Sequence, residues 1–192
     1  MVEHLPLKET VEGSNPPALT MNKVQPANIT LAKLITFIFA ALSFIVPFLL
    51  SQSQIPTGVF VNALLFLAVL FLPASTRLPL IIFPSLATLT RGLIFGSFTP
   101  FLLTFIPIIW LGNWLLTVVF DYARAKFGMI PAGIAGAVVK SIVLFVTATV
   151  FVNFKIVPKL FLTTMGNIQL VTALVGFVVA LGIYTFVSSK RV

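Results

Sequence analysis

The stretch Ile130–Phe151 reads IPAGIAGAVVKSIVLFVTATVF, and Lys140 is its only charged residue. An apolar run of about 20 residues is long enough to cross the hydrocarbon core of a bilayer as an α-helix. The surrounding chain has the same character, because 59% of all residues are hydrophobic, 8% are charged and the mean hydropathy is +1.14. A soluble domain carries roughly 25% charged residues. The sequence therefore predicts an all-α integral membrane protein.

Six apolar runs separated by short gaps follow one another from residue 31 onward. The predicted spans are Leu31–Leu50, Thr57–Leu72, Leu78–Phe95, Phe101–Tyr122, Ile130–Phe151 and Ile168–Val187. Short connections favour antiparallel neighbours, so we expect residues 31–192 to form one six-transmembrane-helix bundle. Residues 1–30 are polar and contain four prolines. They are expected to form a flexible cytoplasmic tail rather than a folded domain.

The basic residues are distributed unequally between the two sides of this predicted bundle. With the N-terminus inside, the inner side carries Lys8, Lys23, Lys33, Arg77, Arg124, Lys126, Lys190 and Arg191, and the outer side carries Arg91, Lys155 and Lys159. By the positive-inside rule this bias predicts a multi-pass protein of the cell membrane with both termini cytoplasmic. The net charge of +8 is then explained by topology and by contact with the anionic headgroups of the lipid bilayer. No nucleic-acid partner is expected.

Several kinds of chemistry are excluded by what the chain lacks. It has no cysteine, and its one histidine, His4, lies in the tail. A thiolate or histidine metal site inside the bundle is therefore excluded, and we expect no metal and no cofactor. The sequence also contains no carboxylate pair and no phosphate-binding loop, so we do not expect an enzyme.

Lys140 is the leading candidate for a functional residue. An ammonium group in the middle of a span costs at least about 2.5–3.5 kcal/mol on insertion scales. One interpretation is structural, with the charge satisfied by helix carbonyls or by snorkelling along the side-chain stem. The other is that Lys140 meets an anionic ligand in a cavity that opens toward the outer side. The other candidate ligand-binding residues, placed toward that side, are Asn62, Thr88, Arg91, Trp110, Asn113, Asn167 and Gln169.

Two of these candidates have more specific expected roles. Trp110 offers a flat stacking surface if its ring faces inward. Arg91 either snorkels into the outer headgroups or points inward as an anion clamp.

The first predicted span carries small residues at intervals of four, at Ala32, Thr36 and Ala40. Such a face is shallow and lets another helix approach closely. Two interpretations remain open: packing within the bundle, or docking to a separate membrane subunit.

The order of several motifs along the chain resembles that of a known family. The motifs are Thr57-Gly58, NALLFLAV at Asn62–Val69, PSLA at Pro84–Ala87, Pro107 to Asn113, the Lys140 helix and QLVTAL at Gln169–Leu174. Together they resemble the substrate-binding membrane subunit, or S component, of energy-coupling factor transporters for vitamins and other micronutrients.

The resemblance implies a six-helix S-component fold with a ligand pocket near the outer face, built from the later helices and the outer loops. It also implies that small residues of the first helix dock on a transmembrane coupling subunit, and that two cytoplasmic ATPases complete the complex. The expected function is capture of a small-molecule substrate for an ATP-driven importer. The alternatives are a small structural subunit of a larger membrane complex and a stand-alone facilitator.

Overall fold

The computed structural model describes residues 29–50, 53–91 and 100–190, apart from the side chains of residues 29–32 and 91. These ranges form α-helices and short 3-10 turns, one of them at Ala74–Thr76, without a strand. The helices are α1 (Ile29–Leu50), α2 (Gln54–Phe71), α3 (Leu78–Arg91), α4 (Leu102–Phe127), α5 (Met129–Asn153), α6 (Leu160–Met165) and α7 (Asn167–Ser189). The predicted all-α class is confirmed.

Five helical stretches of the described chain are long and apolar enough to cross a membrane, as expected of a multi-pass membrane protein. They are Lys33–Leu50, Gln54–Phe71, Leu102–Phe127, Met129–Asn153 and Leu160–Ser189. The remaining predicted span, Leu78–Phe95, overlaps α3 from Leu78 to Arg91. Residues 92–95 of this span and residues 1–28 of the predicted tail lie outside the described residues. The last stretch starts earlier than predicted, because α6 precedes α7 and the two meet at Gly166.

The central helix is α2, which is buried from Val61 to Val69. It runs parallel to α7, so that Gly58 faces Thr172 near one end and Phe71 faces Tyr184 near the other. The two backbones nearly touch at Gly176, where a Cβ atom would lie 2.8 Å from Ala63 N and from Val59 O. Only glycine permits this approach, which is how small residues bring membrane helices together.

Helices α4 and α5 form an antiparallel pair next to α2. A Cβ atom on Gly136 would lie 3.1 Å from the carbonyl oxygen of Leu116, so the small residues at the start of α5 bring these two helices close together. The core between α2, α4 and α7 is filled by three rings that meet edge to face. Phe66 lies 4.9 Å from Phe120 and 5.1 Å from Phe177, measured between ring centroids.

Helix α1 packs on α2 and α3 through one face. Ser43 and Pro47 are buried, and they follow Thr36 and Ala40 at the spacing that places all four on one side of a helix. Thr36 and Ala40 are themselves half-buried, so this face packs within the chain in part, and docking to a separate membrane subunit stays a prediction. The side chain of Ala32 lies outside the described residues.

The bundle has two ends, which we name by one residue each. The Gln54 end holds Leu50, Gln54, Leu102 and Met165, and the Arg77 end holds Phe71, Arg77, Asp121 and Met129.

At the Arg77 end, the guanidinium of Arg77 is buried and donates to the carboxylate of Asp121, which also accepts hydrogen bonds from Arg124. Arg77, one of the predicted inner-side basic residues, is therefore a packed part of the fold.

Candidate functional site

The ammonium of Lys140 lies in the interior of the bundle, where the residue is only 2% exposed. Its Nζ donates to Asn62 Oδ1 at 2.6 Å and to Asn113 Oδ1 at 2.7 Å. These contacts join α5 to α2 and to α4. The stem of Lys140 reaches them along α4 at Gly112, where a Cβ atom would lie 3.4 Å from Lys140 Cγ.

Both amide groups are oriented by a second hydrogen bond. Asn62 Nδ2 donates to Thr172 Oγ1 at 3.3 Å, and Asn113 Nδ2 donates to the carbonyl oxygen of Ile81 at 3.1 Å. Since each amide nitrogen is directed to its own acceptor, each amide oxygen is left to face Lys140. Five helices thus converge on this cluster, namely α2, α3, α4, α5 and α7.

The cluster has a cation but no anion. Asp121 is the only acidic residue in the part of the chain that the structure describes, and its carboxylate is held by Arg77 and Arg124. Lys140 therefore relies on two neutral amide oxygens, although an ammonium has three donors. Its third N–H has no protein acceptor within the described ranges.

A cavity of about 80 Å³ lies next to Lys140 and extends toward the Gln54 end. Pockets for drug-sized ligands usually measure about 300–1,000 Å³, so this conformation has room for water molecules or a small polar group but not for a whole vitamin. The polar side chains that line the cavity are Gln54, Thr57, Asn62, Ser85, Thr88, Asn113, Lys140 and Gln169.

At the Gln54 end, one hydrogen bond connects the start of α2 to α6. Gln54 Nε2 donates to the carbonyl oxygen of Thr164 at 3.0 Å. The hydroxyl oxygen of Thr164 is the one buried side-chain polar atom of the described residues that has no hydrogen-bond partner. The Gln54–Thr164 hydrogen bond is the polar contact between α2 and α6 that the described residues show here.

The structure brings together most of the candidate residues from the sequence. Five of them line the cavity: Asn62, Thr88, Asn113, Lys140 and Gln169. The side chain of Arg91 lies outside the described residues.

Two candidates lie elsewhere. Trp110 packs against the hydrophobic core and its Nε1 donates to Ser85 Oγ at 2.7 Å, so it orients Ser85 and offers no stacking surface to the cavity. Asn167 is exposed. It is two residues before Gln169, a step of about 200° around a helix, and therefore points to the opposite side of α7.

Three lining residues, Gln54, Thr57 and Ser85, are absent from the candidate set drawn from the sequence. Ser85 precedes Thr88 by three residues and so lies on the same face of α3. That spacing is the signal that identifies it. In this cavity α2 and α3 contribute more of the polar lining than the later helices do.

No protein-family model, no curated protein and no solved structure matches this chain. Within the described ranges, no group of three or more His, Cys, Asp or Glu residues lies together in a way that could hold a metal ion.

Proposed function

We propose that the chain is a membrane-embedded substrate-capture subunit that binds a small molecule through Lys140 and serves an ATP-driven importer of the energy-coupling factor type. The observation that carries this proposal is a buried lysine that borders a cavity and has only neutral amide partners. A charge in such a place is costly unless something compensates it. An anionic or strongly accepting group of a ligand supplies that compensation.

The direction of capture follows from the cavity and the charge distribution. The cavity extends from Lys140 toward the Gln54 end, whereas Arg77, Arg124 and Lys126 are at or near the opposite end. By the positive-inside rule the Arg77 end faces the cytoplasm, and the cavity opens outward. A six-helix bundle with both termini cytoplasmic satisfies this arrangement.

The size of the cavity bears on how a ligand enters. About 80 Å³ is too small for a whole micronutrient, so capture of a larger molecule requires helices to separate at the Gln54 end. The Gln54–Thr164 contact is the polar link that such a movement breaks.

Energy for import has to come from other proteins. The chain has no phosphate-binding loop of the kind that ATPases use, so the proposal includes a transmembrane coupling subunit and two cytoplasmic ATPases. The apolar surface that α1 presents outside its packed face, at Leu34, Phe37 and Ile45, is available to lipid or to the coupling subunit.

The test is to identify by mass spectrometry the small molecules that the detergent-purified chain retains. We compare wild type with Lys140→Met, which keeps the bulk of the stem and removes the charge. Lys159→Met is the matched control, because Lys159 is exposed and does not line the cavity. We expect Lys140→Met to weaken binding at least tenfold, about 1.4 kcal/mol, and Lys159→Met to leave it unchanged.

Equal retention by wild type and Lys140→Met removes Lys140 from the site. A wild-type protein that is monodisperse and retains no small molecule contradicts high-affinity capture and favours a structural subunit. For transport, cells that also produce the coupling subunit and the ATPases should accumulate the retained molecule only while ATP is present. Equilibration without ATP identifies a facilitator instead.

A further inference from the structure

We propose that the ligand is at most a monoanion and that it binds in one orientation, with its acceptor group at Lys140 and an N–H or O–H donor at the hydroxyls of Ser85 and Thr88. This inference rests on the proposed function and adds the chemical class of the substrate. It comes from counting which hydrogen-bond donors and acceptors the cavity wall still has available.

The charge of the ligand is limited by the charge of the wall. Among the described residues that line the cavity, Lys140 is the only ionisable side chain and there is no carboxylate. One ammonium compensates one negative charge. A second negative charge, as on a phosphate ester, would be desolvated without a partner, and so would the charge of an amine or a metal ion.

The hydroxyl groups of the wall act as acceptors. Ser85 Oγ donates to the carbonyl oxygen of Ile82 at 2.9 Å and accepts from Trp110, while Thr88 Oγ1 donates to the carbonyl oxygen of Ser85 at 3.0 Å. A hydroxyl has one proton and two lone pairs. Donation to a ligand would therefore give up an existing backbone bond, whereas acceptance from a ligand uses a lone pair that is still free.

Thr57 repeats this pattern at the Gln54 end. Its hydroxyl lies 2.8 Å from the carbonyl oxygens of both Leu50 and Ser53, so its proton is also committed to the backbone. The hydroxyl groups of Thr57, Ser85 and Thr88 thus offer oxygen lone pairs, and a ligand complements these hydroxyls by bringing the protons, while the amides of Gln54 and Gln169 can donate or accept.

The order of these groups along the bundle sets the orientation. The carbonyl oxygen of Ile81 holds Asn113, which contacts Lys140, and α3 runs from that level toward the Gln54 end. At 1.5 Å per residue, Ser85 and Thr88 are about 6 Å and about 10 Å further along α3 than Ile81. The donor of the ligand therefore lies several bonds from its acceptor group and closer to the opening.

The experiment uses the molecule that the full-length wild-type chain retains. This molecule is eluted, its charge is read from the polarity and accurate mass of its ions, and its exchangeable protons are counted from the mass shift in deuterated solvent. We expect one acidic or strongly accepting group and at least one further exchangeable proton. A dianion, a cation, or a molecule with no exchangeable proton overturns the assignment.

The variant arm measures rebinding of the eluted molecule to ligand-free protein. Thr88→Val keeps the shape of the side chain and removes its lone pairs, and it should weaken binding about three- to tenfold, the range of one net hydrogen bond. Thr90→Val is the control, because Thr90 is on the same helix, makes the same kind of backbone bond to Ala87 and does not line the cavity. It should change affinity less than about twofold.

The two proposals fail in different ways. If Lys140→Met releases the molecule and Thr88→Val binds it like wild type, capture stands and the orientation is wrong. If neither variant affects binding, the molecule is bound elsewhere and both proposals are wrong.

Discussion

Arg77 Nη1 lies 2.7 Å from Asp121 Oδ2, and this contact joins two residues that are 44 positions apart in the chain. The rest of the guanidinium donates hydrogen bonds to the end of α2. Nε and Nη2 donate to the carbonyl oxygen of Leu72 at 3.1 and 2.9 Å, and Nη2 also donates to the carbonyl oxygen of Val69. The last carbonyls of a helix have no partner within the helix. Arg77 therefore caps α2 and fastens it to α4 at the same time.

Arg77→Met should lower the free energy of unfolding by about 3 kcal/mol, because it leaves two helix carbonyls without their donor and the Asp121 carboxylate with Arg124 alone. Arg77→Lys should recover only part of this loss, since one ammonium does not replace the fork of a guanidinium. Thermal unfolding of the detergent-solubilised protein measures both. Arg124→Met is the control, as its more exposed pair with Asp121 is worth less than about 1 kcal/mol. Equal losses in Arg77→Met and Arg124→Met would contradict a capping role for Arg77.

Gly176→Ala should separate α2 from α7. The new Cβ atom would lie 2.8 Å from backbone atoms of Ala63 and Val59 and from Asn62 Cβ, and overpacking of this kind costs about 1–3 kcal/mol. Because Asn62 moves with α2, ligand affinity should fall as well.

The control for this change is on the same helix. A Cβ atom on Gly182 would meet nothing within 4 Å, so Gly182→Ala should leave stability unchanged or raise it by up to about 1 kcal/mol through helix propensity. A melting temperature for Gly176→Ala at or above that of Gly182→Ala would mean that α2 and α7 are not in this close contact.

Asn62→Asp should give Lys140 a carboxylate partner without changing the size of the side chain. Thr172 can then rotate its hydroxyl to donate to the new carboxylate, so the fold should remain at least as stable as wild type. Binding of an anionic ligand should weaken at least tenfold, about 1.4 kcal/mol or more, because the new carboxylate already compensates the charge of Lys140. Titration of the retained molecule measures this, and wild-type affinity in Asn62→Asp would rule out charge compensation as the basis of binding.

Asn113→Asp supplies the same charge in a less suitable place. The amide nitrogen of Asn113 now donates to the carbonyl oxygen of Ile81, and a carboxylate oxygen there would face that carbonyl with no proton between them. We therefore expect Asn113→Asp to lose both ligand affinity and thermal stability, unlike Asn62→Asp. Equal melting temperatures for Asn62→Asp and Asn113→Asp would show that the different surroundings of the two amides do not affect stability.

The orientation in the membrane can be tested with single cysteines, since the chain has none of its own. Cysteines at Ser53 and Lys155 should react with an impermeant thiol reagent added outside whole cells. Cysteines at Ser75 and Lys126 should react only after the membrane is opened. All four positions are exposed, so accessibility alone does not separate them, and the reverse pattern would turn the cavity toward the cytoplasm.

The helices could be predicted closely from the sequence because a long apolar run in a bilayer has to satisfy its own backbone hydrogen bonds. The unusual depth of Lys140 was equally visible, since a charge interrupts such a run. What periodicity does not reveal is which helices meet. Asn62 is 78 residues from Lys140, and nothing local to either residue indicates the contact.

The misplaced candidates have similar physical causes. Trp110 is a stacking candidate only if its ring faces inward, and the sequence does not fix the direction of a ring; in the structure its indole N–H donates to Ser85 Oγ. Arg77 counts toward the inner-side charge, but a charge count does not reveal that the helix carbonyls beside it form a buried acceptor for its guanidinium.

The order of synthesis gives the Lys140 cluster a further significance for membrane insertion. Asn62 and Asn113 precede Lys140 in the chain, and Thr172 follows it. Domains are made from the N-terminus onward, so both amide acceptors are already in the bilayer when α5 leaves the insertion machinery. Lys140, whose charge is costly in a bilayer, thus enters the membrane after the two asparagines that accept its hydrogen bonds. Helix α7 then completes the cluster, because Thr172 accepts a hydrogen bond from Asn62 and holds it in place.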